Sequence, residues 1–258
     1  MTPDLVARAA GYDGRLVWFS LESANRVVAR HTESGGTAFV LADNELHQLS
    51  GSACTAYCDA AAIPIALGGA ARHNLANALA ASALCDSLGM SLDAIRDGLC
   101  SMSQHDNPGR CNVYQLPQCT VLVDFAHNPH AMKALFDMAQ ALPARRRLLA
   151  FSQAGDRTDA QIRQLATSAW SIGLDRVVVS ELAKYHRGRA NGEVFGLIRA
   201  ALLAAGARDD QIEYHEQEIE SLDACLSHAG PGDLIIMLAL GDSARIRQRL
   251  ECLSGHPS

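Results

Sequence analysis

A carboxylate, an imidazole and a carboxamide lie close together in the segment Asp124-Phe125-Ala126-His127-Asn128-Pro129. The segment ends the apolar run 120–123, which predicts a strand, and precedes the run 130–142, which predicts a helix. Asn128 is a preferred N-cap residue and proline fits the first helical position, so the corner is predicted to be rigid. Ligands of open parallel sheets bind at such corners, where helix N-termini attract phosphate. The alternative is an ordinary capped helix with a solvated aspartate and histidine.

A second corner of the same kind follows further along the chain. The run 147–152 predicts a buried strand, and Ala154-Gly155-Asp156-Arg157 then precedes a helical pattern over 159–172. Both polar corners are expected to face one crevice. Arg110 precedes the predicted strands 112–116 and 120–123, so its guanidinium can reach the same region. Its neighbours Pro108-Gly109 taken alone usually mark only a turn.

Alternating strands and helices position these corners. Beyond residue 107 the pattern is β-α repeated, which predicts an α/β fold with a Rossmann-like, mostly parallel sheet covered by helices on both faces. The predicted parallel strands are 120–123, 147–152, 176–180, 212–215 and 233–240, and the predicted helices begin near residues 130, 159, 192, 218 and 243.

The front part of the chain is predicted to end at a polar turn over 103–109 that is rich in helix and strand breakers. Residues 51–61 lack periodicity and are predicted to be a loop, and 63–67 is predicted to be an edge strand because Pro64 cannot donate in a ladder. The remaining predicted elements are a strand over 15–21, a hairpin of 37–41 with 45–49, and helices over 73–88 and 91–102.

Composition limits the classes of function. The chain has 258 residues, a formal net charge of −6 and eight cysteines. The negative charge argues against a nucleic acid partner. The first ten residues contain no signal peptide and no apolar run approaches the ~20 residues that cross a bilayer, so a cytoplasmic protein with reduced thiols and no membrane association is expected. Cys54 and Cys58 have no second pair at zinc spacing, and no metal site is predicted.

Five motifs follow one another along the chain: His73-Asn74-Leu75-Ala76-Asn77-Ala78-Leu79-Ala80-Ala81, Asn107-Pro108-Gly109-Arg110, Asp124-Phe125-Ala126-His127-Asn128-Pro129, Gly155-Asp156-Arg157, and Arg187-Gly188-Arg189 with Gly192-Glu193. In this order they resemble the Mur ligase family, and the resemblance covers about residues 60–245. The last motif is similar to the branch that holds the C-terminal ligase half of cyanophycin synthetase and, less closely, the muramyl-tripeptide synthetases. The resemblance implies that residues 1–106 are the tail of a central, ATP-binding domain and that 107–258 form the C-terminal Rossmann-like domain.

The phosphate-binding loop of the family is missing from the sequence. The family uses ATP and Mg²⁺ to phosphorylate a carboxylate that an amine then attacks, and this requires a glycine-rich loop ending in Gly-Lys-Ser/Thr. The only lysines are Lys133 and Lys184, and neither follows a glycine. The modified lysine that family members carry in the central domain is also absent. The chain is therefore expected to be inactive by itself and to need a P-loop portion on the same or another chain.

The resemblance implies nucleotide contacts for four residues. Asn74 and Asn77 are expected to contact the adenine end of ATP, Arg110 the phosphates or ribose, and Asp124 the ribose hydroxyls. His127 and Asn128 are the implied catalytic residues, which help to position the acceptor amine or a metal-bound phosphate. The structural alternatives are helix-start capping for Asn74, a solvated strand end for Asp124 and a structural role for His127.

The resemblance also implies an acceptor-binding set. Arg187 and Arg189 are expected to bind a carboxylate of an amino-acid or peptide acceptor, and Glu193 its amine. Asp156 and Arg157 are expected near the substrate, where they can form an ion pair that shapes a turn permitted by Gly155. The segment departs from the Asp-Asn-Pro-Arg motif of the muramyl-tripeptide synthetases, which argues against diaminopimelate as the acceptor. A solvated basic loop that caps the next helix is the alternative.

Three classes of function remain open at this point. The first is the C-terminal portion of an ATP-dependent carboxylate–amine ligase. The second is a non-catalytic nucleotide-binding or interaction module derived from such a ligase. The third is a degenerate fold without a ligand.

Overall fold

The computed structural model describes residues 3–255, which fall into two compact units that divide between Asp106 and Asn107. The first unit contains a four-stranded sheet of order β1-β2-β3-β4, in which β1 is parallel to β2 and the other pairs are antiparallel. Its elements are α1 (Pro3–Ala9), β1 (Val17–Ser20), α2 (Arg26–Glu33), β2 (Thr37–Ala42), β3 (Glu45–Ser50), β4 (Ala53–Asp59), α3 (Arg72–Ser87) and α4 (Leu92–Ser101).

The predicted hairpin is present as β2 and β3. Asp43 and Asn44 form its two-residue turn with φ angles of 50° and 63°. Positive φ at both central positions is what a type I′ turn requires, and Asn and Asp tolerate it better than most residues. The helix α3 packs against β1 and β2. The largest fully buried side chains of this unit are Phe39, Leu46, Ile63, Leu75 and Leu79.

Two predictions for the first unit are wrong. The segment predicted as a loop contains β4, which pairs antiparallel with β3. Its first four residues are exposed, so the strand has no alternating apolar pattern to reveal it. The segment 63–67 is not an edge strand, because a 3₁₀ run over Pro64–Gly69 begins there. Pro64 starts this run, where its missing N–H is not needed.

The second unit confirms the predicted Rossmann-like α/β fold. Its six-stranded sheet has the order β5-β6-β10-β7-β8-β9, and only β5 is antiparallel to its neighbour. Its elements are β5 (Asn112–Gln115), β6 (Cys119–Asp124), α5 (Pro129–Ala141), β7 (Arg147–Phe151), α6 (Asp159–Trp170), β8 (Arg176–Ser180), α7 (Glu193–Ala204), β9 (Ile212–His215), α8 (Glu218–His228), β10 (Asp233–Leu238) and α9 (Ser243–Ser254).

The register brings the carboxyl ends of the parallel strands to one edge of this sheet. Leu238 of β10 pairs with Asp124 of β6, and Phe151 of β7 pairs with Val179 of β8. All six residues of β10 are buried because the strand lies between β6 and β7. Within residues 3–255, no helix is both long and apolar enough to span a bilayer.

Candidate functional site

Asp124 ends β6 and is buried at the carboxyl edge of the second sheet. Its Oδ2 accepts hydrogen bonds from the backbone N–H of Cys111 at 2.9 Å and from the Cys111 thiol at 3.3 Å. Burial raises the pKa of the Cys111 thiol and the charge of Asp124 raises it further, so the thiol is protonated and donates. Oδ1 of Asp124 makes no hydrogen bond within the described chain, which leaves one carboxylate oxygen for a ligand.

Arg110 and His127 flank the aromatic ring that follows Asp124. The guanidinium carbon of Arg110 lies 5.3 Å from the centroid of the Phe125 ring, in cation–π geometry. Nδ1 of His127 lies 3.0 Å from the carbonyl oxygen of Phe125. A carbonyl oxygen only accepts, so Nδ1 is the donor, and in the neutral tautomer with this proton the lone pair is on Nε2. Arg110 and His127 are both exposed, which keeps both groups accessible.

Asn128 is the N-cap residue of α5, as the sequence predicts. Its Oδ1 accepts from the backbone N–H of Ala131 at 2.9 Å, and Pro129 occupies the first helical turn. The cap uses the amide oxygen and leaves the NH₂ group as a donor. The cap fixes this corner, and Nε2 of His127 and the amide nitrogen of Asn128 make no hydrogen bond within residues 3–255.

The β7 corner differs from its predicted form. Asp156 and Arg157 do not pair with each other; Arg157 instead donates from Nη2 to the carbonyl oxygen of His127, which ties this corner to the β6 corner. Gly155 has no positive φ, so a strained turn does not explain it. A Cβ atom on Gly155 would collide with the carbonyl oxygen of His186, and close approach of two backbones is the reason for glycine here.

Arg189 joins the β7 corner (residues 152–158) to the β8 corner, which is the segment 181–192 between β8 and α7. Its Nε donates to the carbonyl oxygen of Gly155 at 2.9 Å, and Nη2 donates to the carbonyl oxygen of Arg157 at 2.8 Å. The same guanidinium pairs with Asp159 at 2.8 Å and with Glu193 at 2.6 Å. Hydrogen bonds from the Ala190 N–H and from Arg189 lower the pKa of Glu193. Two of the three residues predicted to bind an acceptor, Arg189 and Glu193, are thus bonded to groups of the chain itself.

Arg187 differs from Arg189 in its surroundings. Its side chain is exposed, and its guanidinium carbon lies 5.7 Å from the centroid of the Tyr185 ring. Its N–H groups make no hydrogen bond within residues 3–255. Its φ of 51° places the backbone in the left-handed region, beside Gly188 at 92°. Of the two arginines predicted to bind an acceptor carboxylate, Arg187 is the one whose guanidinium is exposed and makes no hydrogen bond within residues 3–255.

Two buried glutamates, which sequence reasoning missed, lie at the same edge. Glu181 follows β8 and accepts from the backbone N–H of Gly192 at 2.9 Å, while its Oε2 lies 3.0 Å from Nε2 of His186. Glu218 begins α8 and is 4% exposed. A signal existed for Glu181, since it stands at a strand end like Asp124.

A cavity of about 230 Å³ opens between the β8 corner and the β10 corner, which is the segment 239–242 between β10 and α9. Four carboxylates line it against a single lysine, so its field favours a cationic group. It lies at the carboxyl edge of the sheet, where β10 joins β6 through the hydrogen bond from the Ala239 N–H to the Asp124 carbonyl oxygen at 3.0 Å. The lining residues are Glu181, Leu182, Ala183, Lys184, Tyr185, Glu216, Gln217, Glu218, Gly241 and Asp242.

Asn74 and Asn77 lie on α3 of the first unit. Asn74 is buried, and its Nδ2 donates to the carbonyl oxygen of Ile65 at 2.7 Å, which holds the 3₁₀ segment. Asn74 is not a helix cap, because the N-cap position is Ala71. Asn77 is exposed. Only Asn77 of this pair therefore has a side chain open to a ligand.

The second unit thus has a mostly parallel sheet with polar corners and an acidic cavity at its carboxyl edge, the place where open α/β sheets bind ligands. The family model described as "Mur ligase, glutamate ligase domain" matches residues 109–241, and the chain belongs to the Mur ligase family. The matched residues all lie in the second unit, which is therefore the ligase domain that the model describes.

Known relatives agree with this assignment. Cyanophycin synthetase of Crocosphaera subtropica is 30% identical over 91% of this chain and 27% of its own length, and that of Synechocystis is 32% identical over 78% of the chain and 23% of its length. The chain thus spans about a quarter of these relatives. The solved structure of E. coli FolC in complex with DHPP and ADP is 22% identical and superposes with a TM-score of 0.58, covering 84% of this chain and 46% of FolC.

Proposed function

We propose that the second unit holds the acceptor amine of an ATP-dependent carboxylate–amine ligase, and that the chain acts together with a P-loop portion on the same or another chain. The observation that carries this proposal is the acidic cavity beside the β8 corner. An acceptor that bears a cationic group fits four lining carboxylates better than an acidic or apolar one does.

Exposed polar groups elsewhere at the carboxyl edge of the sheet suit an amino-acid acceptor. The exposed fork of Arg187 suits a carboxylate, which a guanidinium binds through two parallel hydrogen bonds. His127 and Asn128 serve to position the acceptor amine, with the free Nε2 of His127 able to take up its proton. Arg189 and Glu193 support the β8 corner through their mutual ion pair instead of binding the acceptor directly.

Nucleotide contacts fit the β6 corner. Oδ1 of Asp124 can accept from a ribose hydroxyl, and Arg110 can donate to a phosphate. In this family ATP supplies the phosphoryl group that activates the donor carboxylate. Residues 3–255 bring together no group of three or more potential metal ligands, so Mg²⁺ is not assigned to them.

Adenosine nucleotide binding tests the nucleotide part of the proposal. ADP should bind the chain weakly, in roughly the millimolar range that corresponds to ~4 kcal/mol, because the triphosphate cradle is absent. Asp124→Asn should weaken this binding, since the neutral oxygen is a poorer acceptor for a ribose hydroxyl. NMR titration of the labelled chain measures both. The control is Asp137→Asn, which removes an exposed carboxylate that pairs only with Lys133. Equal ADP affinity in all three proteins would mean that Asp124 is a structural strand-end residue.

The two arginines of the β8 corner should respond differently to alanine. Arg187→Ala should weaken the binding of L-lysine, used as a cationic amino-acid probe, by roughly tenfold and leave stability unchanged, because only an exposed carboxylate contact is lost. Arg189→Ala should lower the free energy of unfolding by about 2–3 kcal/mol, because its guanidinium bonds four groups of the chain. Titration and urea denaturation of both variants separate the roles. Unchanged lysine binding in Arg187→Ala would remove the acceptor role from this residue.

A further inference from the structure

The carboxylate of Glu218 lies among four hydrogen-bond donors. Oε1 accepts from the Ser152 hydroxyl at 3.2 Å and from the backbone N–H of Leu240 at 2.9 Å. Oε2 accepts from the backbone N–H of Gly241 at 2.8 Å and of Asp242 at 2.7 Å. A Cβ atom on Gly241 would come within 3.3 Å of Oε2, so the corner also fits closely around this oxygen.

Three successive backbone N–H groups that point at one place form an anion-binding nest. Here they belong to the corner that leads from β10 into α9, whose N-cap residue Asp242 makes no capping hydrogen bond with its own side chain. Glu218, which belongs to another helix, accepts instead from the backbone N–H groups of residues 240–242 that lead into α9. Its position at the start of α8 also places the negative charge at the positive end of its own helix.

We infer that Glu218 is a specificity-determining residue of the cavity: its carboxylate occupies the nest at the β10 corner and thereby keeps carboxylates and phosphates out of the cavity. Without this side chain, the three backbone N–H groups of residues 240–242 would lack their acceptor beside the cavity and would attract anions. With it, the same corner presents a negative charge that is 4% exposed and weakly screened. The inference rests on the proposed function for the identity of the acceptor, but not for the closure of the nest.

Acetate is the probe that tests the nest. In Glu218→Ala, acetate should shift the amide NMR signals of Leu240, Gly241 and Asp242 in a saturable way, with an affinity roughly tenfold or more above that of the wild-type chain. Methylguanidinium, as the cationic probe, should bind Glu218→Ala several-fold more weakly than it binds the wild-type chain, since the cavity loses a buried charge. A merely structural glutamate would lower stability without creating an acetate site.

Glu216→Gln is the matched control, because Glu216 also lines the cavity but is exposed and makes no contact with the nest. It removes the same charge and should not admit acetate. If Glu218→Ala and Glu216→Gln respond alike to acetate, the inference is wrong. A different result separates the two proposals: acetate binds only Glu218→Ala, and methylguanidinium binds neither variant nor the wild type. The role of Glu218 would then be supported, and the cationic acceptor of the proposed function would be ruled out.

Glu218→Gln guards against a folding failure of the alanine variant. It keeps the side-chain volume, and its amide nitrogen cannot accept from the N–H groups of the nest. Because the amide fills the nest, this variant should not admit acetate, and it should bind methylguanidinium several-fold more weakly than the wild-type chain because the buried charge is gone. Acetate binding to the folded glutamine variant as tight as to Glu218→Ala would overturn the inference, since the site would then not be the space that the side chain occupies.

Discussion

Gly155→Ala should destabilise the second unit by about 3 kcal/mol, because the added Cβ atom would overlap the carbonyl oxygen of His186. Movement of the neighbouring backbone away from the added atom would cost free energy, because hydrogen bonds hold both segments in place. The N–H of Gly155 donates to the Tyr185 carbonyl oxygen at 2.8 Å, and its own carbonyl oxygen accepts from Arg189 at 2.9 Å. The relief of the overlap would therefore break the hydrogen bonds that join the β7 and β8 corners.

Gly196→Ala is the matched control, with the opposite sign expected. Gly196 lies inside α7, and a Cβ atom there would meet nothing within 4 Å. Alanine should stabilise this helix by roughly 1 kcal/mol. Urea denaturation measures both variants. The two tryptophans are Trp18 and Trp170, one in each unit, so fluorescence in a Trp18→Phe background reports the second unit alone. A Gly155→Ala variant as stable as the parent would contradict the close approach of the two corners.

The sequence predicted the second unit well because its strands are buried, continuous apolar runs between helices. The predicted strands 176–180 and 212–215 coincide with β8 and β9. The position of β10 between β6 and β7 was not predictable in the same way. Apolar runs and turn residues report local structure, whereas strand order depends on contacts between distant parts of the chain. The wrong predictions in the first unit have a local cause, since β4 is largely exposed and Pro64 fits a 3₁₀ start as well as an edge strand.

The type of a residue does not by itself reveal its role in this site. An arginine can bind a substrate carboxylate or a backbone carbonyl equally well. The guanidinium of Arg189 is bonded to the carbonyl oxygens of Gly155 and Arg157 and to two carboxylates of the chain. Glu218 was missed because it stands among acidic neighbours. Its one distinguishing mark is helical spacing, which puts it on the buried face of α8 with Leu222 and Cys225. A charged residue on an apolar face requires partners, and only tertiary structure identifies them.

Asp233→Asn should lower the stability of the second unit at neutral pH by about 2–3 kcal/mol. The Asp233 side chain is fully buried, and it accepts from Nε of Arg146 at 3.1 Å, from Nε of Arg145 at 3.3 Å and from the Gly230 N–H at 2.8 Å. Hydrogen bonds to a charged group are each worth ~1.5–3 kcal/mol. The partly exposed arginines regain water in the variant, so the loss stays below that of a pair in which both partners are buried.

The pH dependence of this loss has a definite sign. Burial acts to raise the pKa of Asp233, but the hydrogen bonds from Arg146, Gly230 and Arg145 outweigh it and lower the pKa below the ordinary value. A carboxylate whose pKa is lowered in the folded state stabilises the protein above its unfolded pKa of ~3.9, and this contribution disappears as the pH falls through the folded pKa. The stability difference between wild type and Asp233→Asn should therefore be constant from about pH 5 to 8 and shrink below about pH 4. Urea denaturation across this range measures the difference.

The control is Asp137→Asn, which loses an exposed pair with Lys133 and should lower the free energy of unfolding by less than ~0.5 kcal/mol at every pH. A difference for Asp233→Asn that grew toward low pH would show that the carboxyl is protonated in the folded protein and that Arg146 does not hold its charge.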